Sequence, residues 1–256
     1  MLLHTFPYGQ QTARIYSDQE AMGTAAATFA AEVMLSALEQ KPTIRIMIGT
    51  GNSQETTIDA LTNNPDIPWN RVEVFHMDEY VGLSMDHPAS FRRWLKERVA
   101  DRVRPMAMHY LNGDAEDLQQ ELKRYTDELL SKDMDMSFIG FGENGHIAFN
   151  DPHVADFEDV ETVKIVELDT ACRQQQVGEG HYPDMESVPK FAMTVTCTGL
   201  LRAKNLVCVV PEQRKATAVR NALTGPVTTA CPGSIVRTHP DANLFLDRDA
   251  ASLLDW

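Results

Sequence analysis

His76-Met-Asp-Glu-Tyr80 sets two carboxylates side by side directly after an apolar run. Neighbours on an extended chain face opposite ways, so at least one of the pair is directed into the crevice beyond that run. Burial there lifts a carboxyl pKa toward neutrality, which suits a base that moves protons. Asp78 is the better base candidate, and Glu79 is expected to point elsewhere. A second stretch, Gly140-Phe-Gly-Glu-Asn-Gly-His-Ile-Ala-Phe-Asn-Asp-Pro152, delivers His146 on a glycine-rich turn, with Asn144 two residues before it and Asp151 five after. An imidazole beside amide and carboxylate groups is a proton-shuttle arrangement. Gly140, Gly142 and Gly145 also satisfy G-x-G-x-x-G, but Asn150-Asp-Pro152 stops the segment where a dinucleotide-binding helix would have to grow.

Two further stretches suit an anion. Gly49-Thr-Gly-Asn-Ser53 lies between an apolar run and a helical segment, so small residues and free helix N–H groups meet there. It lacks the Gly-Lys-Ser/Thr ending of a P-loop. Glu212-Gln-Arg-Lys-Ala216 places Arg214 and Lys215 at a helix start, where cations oppose the macrodipole unless an anion lies nearby. The chain carries 23 Lys+Arg against 37 Asp+Glu, a net charge of −14, so any anion pocket must gather positive potential locally, and Lys215 is the candidate. Each stretch also has a plainer reading: a tight turn, a solvated acidic turn, a satisfied core histidine or a solvated helix face.

Strand-length apolar runs precede these stretches: Thr43–Ile48, Arg71–Phe75, Met136–Gly140 and Leu206–Val210, with a fifth at Asn243–Leu246. Several are nearly continuous in apolar residues, as strands covered on both faces are. Helices are expected over Ser17–Gln40, opening on Ser17 and Glu20 at capping-box spacing, and over Gln54–Thr62, Ser90–Val103, Ala115–Ser131 and Glu212–Leu223. The alternation predicts an α/β fold: a three-layer, Rossmann-like, mostly parallel sheet with helices on both faces. Ligands of such sheets sit beyond the C-terminal strand ends, where the four stretches fall. Residues 1–256 read as one domain, and the irregular segment 151–189, with Gly178-Glu-Gly180, as a candidate lid.

Length and a 43% hydrophobic content exclude a disordered chain. No run is expected to approach the roughly 20 apolar residues of a membrane span. The acidic balance argues against nucleic acid as a partner. Cys172, Cys197, Cys208 and Cys231 show no zinc-site spacing, and no metal is expected. With no signal-peptide pattern at the N-terminus, reduced thiols and a cytoplasmic location are expected. A homo-oligomer is compatible with all of this.

Together the segments resemble the glucosamine-6-phosphate deaminase (isomerase) family. Phe75-His-Met-Asp-Glu-Tyr-Val-Gly-Leu83 with His87-Pro88 is similar to its Met-Asp-Glu-Tyr signature, and Gly145-His-Ile-Ala-Phe-Asn-Asp-Pro152 to its Gly-His-Ile-Ala-Phe-Asn-Glu-Pro signature. Val188–Val195 and Cys231–Pro240 also resemble family segments, and the likeness runs from about Ile44 to Asp247. The resemblance implies ring opening, isomerisation and deamination of an amino-sugar 6-phosphate without metal or organic cofactor, as in N-acetylglucosamine catabolism. It implies that Asp78 moves a proton between C2 and C1, and that His146 assists ring opening with Asn144 and Asp151 around it. It places phosphate and sugar at Thr50, Gly51, Asn52, Ser53, Gly145, Arg173 and Lys215.

Two departures stand out. Many members have Asp where this chain has Asn144, and Glu where it has Asp151; a water or a backbone shift is expected to make up the shorter reach. Asn at the first position resembles some galactosamine-6-phosphate relatives, so either epimer remains a candidate substrate. The position of an effector-site Arg corresponds to Glu161, which lowers the expectation of allosteric control. Three rival readings remain. A 6-phosphogluconolactonase typically continues its His motif toward Thr-Ala-Ser and has no need of a proton-shuttling carboxylate at Asp78. A catalytically weakened sugar-phosphate-binding homologue is another. The last is a sugar-phosphate-sensing module of a transcription regulator, against which stands the expectation that only about 40 residues precede the first strand, too few and too acidic for a DNA reader.

Overall fold

The computed structural model describes residues 1–9 and 11–256. Each of the five anticipated apolar runs is a strand, and six more strands join them. In chain order the strands and helices are β1 (Leu2–Tyr8), β2 (Gln11–Tyr16), α1 (Gln19–Gln40), β3 (Ile44–Ile48), α2 (Asn52–Thr62), β4 (Val72–His76), β5 (Asp78–Tyr80), α3 (Phe91–Leu95), α4 (Asp101–Val103), β6 (Ala107–His109), α5 (Leu118–Leu130), β7 (Met136–Ile139), β8 (Val163–Glu167), α6 (Thr170–Gly178), β9 (Phe191–Val195), α7 (Cys197–Leu200), β10 (Asn205–Val210), α8 (Ala216–Thr224) and β11 (Ala242–Asp247). The main sheet has the order β1-β2-β11-β10-β7-β3-β4-β6. All its pairings are parallel except β1 with β2 at one edge. A smaller antiparallel sheet, β5-β9-β8, stands beside it.

Alternation along the strands explains the layers. Ile44, Ile46 and Ile48 of β3, with Val207 and Val209 of β10, join Met22, Ala26, Ala30 and Met34 of α1 and Ile58 of α2 in one core. Met47, Leu206, Cys208 and Val210 point the other way, into a core with Leu122 and Tyr125 of α5, Leu200 of α7 and Val219 of α8. A strand with both faces buried needs apolar residues at odd and even positions alike, which is why these runs are continuous. Tyr80, Phe149, Cys172, Tyr182 and Ala192 form a third cluster beneath the small sheet.

Several expectations are corrected. The hairpin β1–β2 means that about 40 residues do not precede the first strand; Pro7 and the irregular alternation of Leu2–Tyr16 hid it. The cap of α1 is Asp18, whose carboxylate accepts the Ala21 N–H at 2.8 Å, while Ser17 donates its hydroxyl to Asp18. The helix anticipated over Ser90–Val103 is α3 and α4 joined by a π-turn at Lys96–Ala100. The segment Glu212–Leu223 opens with a 3-10 turn at Gln213–Lys215 before α8. Among the described residues one helix, α1, is long and apolar enough to cross a membrane by length and composition, with mean hydropathy 1.4 in its most apolar window, contrary to the sequence reading. Glu32 is the one charge between Ala21 and Leu38, and here Met22, Ala26, Ala30, Met34 and Leu38 bury one face of the helix in the core.

Candidate active site

Four parallel strands lying side by side, β10, β7, β3 and β4, each end in one of the stretches singled out by residue type. Connections run outward in opposite directions from β3 and β7, so a crevice opens where the strand order reverses. It encloses about 570 Å³ of space, part of it open to solvent, between Gly49–Ser53, Met77-Asp78, Gly140–Gly142, His146, Gln175, Gln176, Glu179, His181 and Lys215.

Asp78 enters the crevice from the start of β5, and Glu79 turns away, as neighbours on a strand must. Glu79 is fully buried and accepts hydrogen bonds from Ser90 Oγ at 2.7 Å and the Arg92 N–H at 3.0 Å. Asp78 is 6% exposed, and its Oδ1 has no partner among the described residues. Burial, with the Glu79 charge adding to it, pushes the Asp78 carboxyl well above the usual carboxylate range. A carboxylate made this basic and left without a protein partner is suited to taking a proton from a ligand.

His146 shares the crevice. Its Nδ1 lies 2.9 Å from Asp151 Oδ1, so the shorter Asp side chain reaches directly; the expected water or backbone shift is not needed. Asn144 is the organiser. Its Oδ1 accepts the His146 N–H at 3.0 Å, and its Nδ2 donates to Asp151 at 2.9 Å and Asp169 at 3.0 Å. The Asp169 N–H in turn donates to Asp151 Oδ2. Burial alone would raise the Asp151 carboxyl, but His146 and these donors hold it below its ordinary value. The imidazole is therefore backed by an anion, with its other nitrogen available to the crevice. The ring packs flat on the backbone at Gly142: a Cβ there would sit 2.5 Å from Nδ1 and closer still to Cε1 and Nε2.

The opposite end of the crevice is built for negative charge. Gly51 (φ +91) turns the chain into α2, an eleven-residue helix whose N-terminus at Asn52 and Ser53 lines the cavity with Thr50. The hydroxyl of Thr50 is buried without a partner among the described residues. Lys215 is almost fully buried, and burial lowers its pKa despite the nearby Glu179 carboxylate. It is held there by Glu212 (φ +81), whose N–H donates to both Asp247 oxygens at 3.0 and 3.1 Å and whose carbonyl accepts the Lys215 N–H.

Asp78, His146, Thr50, Gly51, Asn52, Ser53 and Lys215 therefore meet in one cavity, with Asn144 and Asp151 directly behind the imidazole. Gly145 (φ +85) does not line it; it shapes the turn, and its carbonyl accepts the Gly233 N–H. Arg173 is a correction. Its guanidinium donates to the carbonyls of Met185 and Val188, away from the crevice. On α6 it lies roughly 110° from the face carrying Cys172, Gln175, Gln176 and Glu179, at 100° per residue. Of these, Gln175, Gln176 and Glu179 line the crevice with His181, and all four escaped sequence reading; the 3- and 4-residue spacing of the glutamines and Glu179 was the available signal, in a segment read as irregular.

Metal-ligating atoms converge twice near the site, within 4.8 Å, in His146–Asp151–Cys172 and Asp151–His153–Asp169. The first set would need a Cys172 thiolate. Burial, with Asp151 and Asp169 beside it, pushes that thiol well above its ordinary value, and Asp151 already accepts from Asn144 and Asp169. This donor set suits holding an imidazole better than holding a metal.

Known proteins share this arrangement of chain. The family model for glucosamine-6-phosphate isomerases/6-phosphogluconolactonase matches residues 17–245. Glucosamine-6-phosphate deaminase 1 of Bacillus subtilis is 30% identical over 231 residues, covering 88% of this chain and 93% of its own. A glucosamine-6-phosphate deaminase of an Exiguobacterium species is 36% identical over 183 residues, 72% of this chain and 70% of its own. Among solved structures, a monomeric glucosamine-6-phosphate deaminase superposes with a TM-score of 0.85 at 30% identity, covering 93% of this chain and 98% of its own. A 6-phosphogluconolactonase of Thermotoga maritima shares the fold, with a TM-score of 0.76 at 18% identity over 93% of this chain and all of its own.

Proposed function

The chain belongs to the glucosamine-6-phosphate isomerase/6-phosphogluconolactonase family, whose enzymes act on sugar phosphates, and on that premise we propose that it converts glucosamine 6-phosphate or galactosamine 6-phosphate to the ketose 6-phosphate and ammonia. The observation that carries this choice is the buried Asp78 carboxyl, its Oδ1 unpartnered, in the same crevice as the Asp151-backed His146. Hydrolysis of a lactone moves no proton between carbons and does not require a second base beside His146, whereas proton transfer between adjacent carbons requires one. The run Ile147-Ala-Phe-Asn150 after His146 favours the same choice.

The phosphate is held at the α2 N-terminus and by Lys215, which fixes the distance to the reacting carbons. His146, oriented through Asp151, carries the proton between the ring oxygen and the anomeric hydroxyl, giving the open-chain aldehyde. Asp78 takes the proton from C2 as the carbonyl oxygen is protonated, and a C1–C2 enolamine forms. Return of that proton to C1 leaves an iminium at C2, which water hydrolyses to the ketone and ammonium. The proposal includes residues 151–189 as a lid and a cytoplasmic location, with which four buried free thiols are in keeping. Ammonia release measured over a panel of amino-sugar phosphates, beside a 6-phosphogluconolactone hydrolysis assay, tests it: lactonase turnover without ammonia would reverse the assignment.

A further inference from the structure

Glu179 is a carboxylate in the crevice for which the chemistry above has no use. It directly follows α6, and its side chain is 5% exposed. Oε1 accepts from Gln175 Nε2 at 2.9 Å, lies 3.1 Å from an Arg214 nitrogen and 3.9 Å from Lys215 Nζ. Oε2 lies 3.8 Å from His181 Nδ1. Among the described residues, Lys215 makes no other ion pair. The acid thus sits beside the one buried ammonium at the end of the cavity that an anion would occupy.

We propose that Glu179 acts as an internal counter-anion at the phosphate subsite and that it swings out when phosphate enters, so that this residue sets how tightly the substrate is gripped. The inference rests on the reading of the crevice as a sugar-phosphate site. One buried ammonium does not neutralise both a carboxylate and a phosphate dianion, and two anions of like sign sharing a desolvated site repel strongly. The Glu179 N–H holds the Gln175 carbonyl at 2.8 Å and the Gly180 N–H the Val177 carbonyl at 3.0 Å, so the movement is one of the side chain, which has open space beside the flanking Gly178 and Gly180. Its departure strands little. Arg214 keeps Glu212 and Glu143 as partners, and Gln175 keeps the hydrogen bond from the Glu143 N–H.

The test is calorimetric titration of inorganic phosphate into the wild-type protein, Glu179→Gln, Glu179→Ala and Lys215→Met, each checked for an intact melting transition. Glutamine keeps the shape and the acceptor for Gln175 while removing the charge. Both Glu179 variants are expected to bind phosphate on the order of tenfold more tightly than wild type, and Lys215→Met to lose binding. Unchanged or weaker binding in both Glu179 variants, with binding still lost in Lys215→Met, overturns the role of Glu179 and leaves the phosphate subsite standing. No phosphate binding by any form overturns both.

Discussion

Adding one methyl group at Gly142 tests the placement of His146 without altering any reacting group. The Cβ of an alanine there would stand 2.5 Å from Nδ1 and nearer still to Cε1 and Nε2, against the roughly 3.5 Å at which carbon contacts become favourable. The imidazole must retreat by about 1 Å, which breaks the 2.9 Å contact with Asp151 Oδ1. Gly142 does not have positive φ, so the backbone itself accepts alanine. Misplacing a catalytic group by about 1 Å costs on the order of 100-fold, or about 2.7 kcal/mol in the barrier. Ammonia release from glucosamine 6-phosphate is the assay, and the expected result is a fall of that size in kcat with a native melting transition. A His146→Ala background supplies the control, because the smaller side chain leaves room for the added methyl. The reasoning is refuted if Gly142→Ala keeps wild-type kcat, or if it costs as much in the His146→Ala background as alone.

Asp78→Asn is expected to lower kcat by roughly 100- to 10,000-fold and to raise the melting temperature at neutral pH. Burial, then Glu79, raises the folded-state pKa of Asp78, so above the ordinary carboxylate pKa the unfolded chain releases a proton that the folded one retains, and stability falls as pH rises. Melts at pH 5 and pH 8 should therefore show the stabilisation by asparagine growing with pH, and a constant difference would contradict the burial argument. Lys215→Met should raise KM on the order of 100-fold, with a smaller change in kcat, since it removes ground-state phosphate binding; steady-state kinetics check this. Asn144→Asp is expected to lower both stability and turnover. It would exchange an amide donating to Asp151 and Asp169 for a third carboxylate, a loss of about 1–3 kcal/mol measurable by denaturant titration.

The strands of the main sheet were legible where both faces are buried, because runs such as Leu206–Val210 must then be apolar at every position. The small sheet was not. Its strand β5 is three residues long, and Phe191–Val195 pairs with chain far away in sequence, at Asp78–Tyr80 and Val163–Glu167. Asp78 and His146 were legible because a pair of adjacent carboxylates in one case, and a glycine-rich turn in the other, directly follows an apolar strand. The part played by Asn144 was harder to see, since its partner Asp169 lies 25 residues on. Arg173 was misplaced because a resemblance carries over a residue type but not its helix phase, and the crevice face at α6 offers glutamines and a glutamate instead. The membrane-length character of α1 was missed because Thr24, Thr28, Glu32 and Ser36 interrupt its apolar residues, many of them alanines whose small side chains let the helix lie close against the sheet.

The movement of hydrogen from C2 to C1 by one shielded carboxyl is best followed isotopically. Glucosamine 6-phosphate deuterated at C2, turned over in ordinary water, should give ammonia and a ketose 6-phosphate that keeps part of the label at C1, because an Asp78 carboxyl only 6% exposed should return the deuteron before all of it is lost to solvent. Proton and deuterium magnetic resonance of the product would show it, with transfer abolished in Asp78→Asn. A wild-type protein that forms no ketose, or an Asp78→Asn variant that transfers the label at the wild-type rate, would contradict the assignment of Asp78.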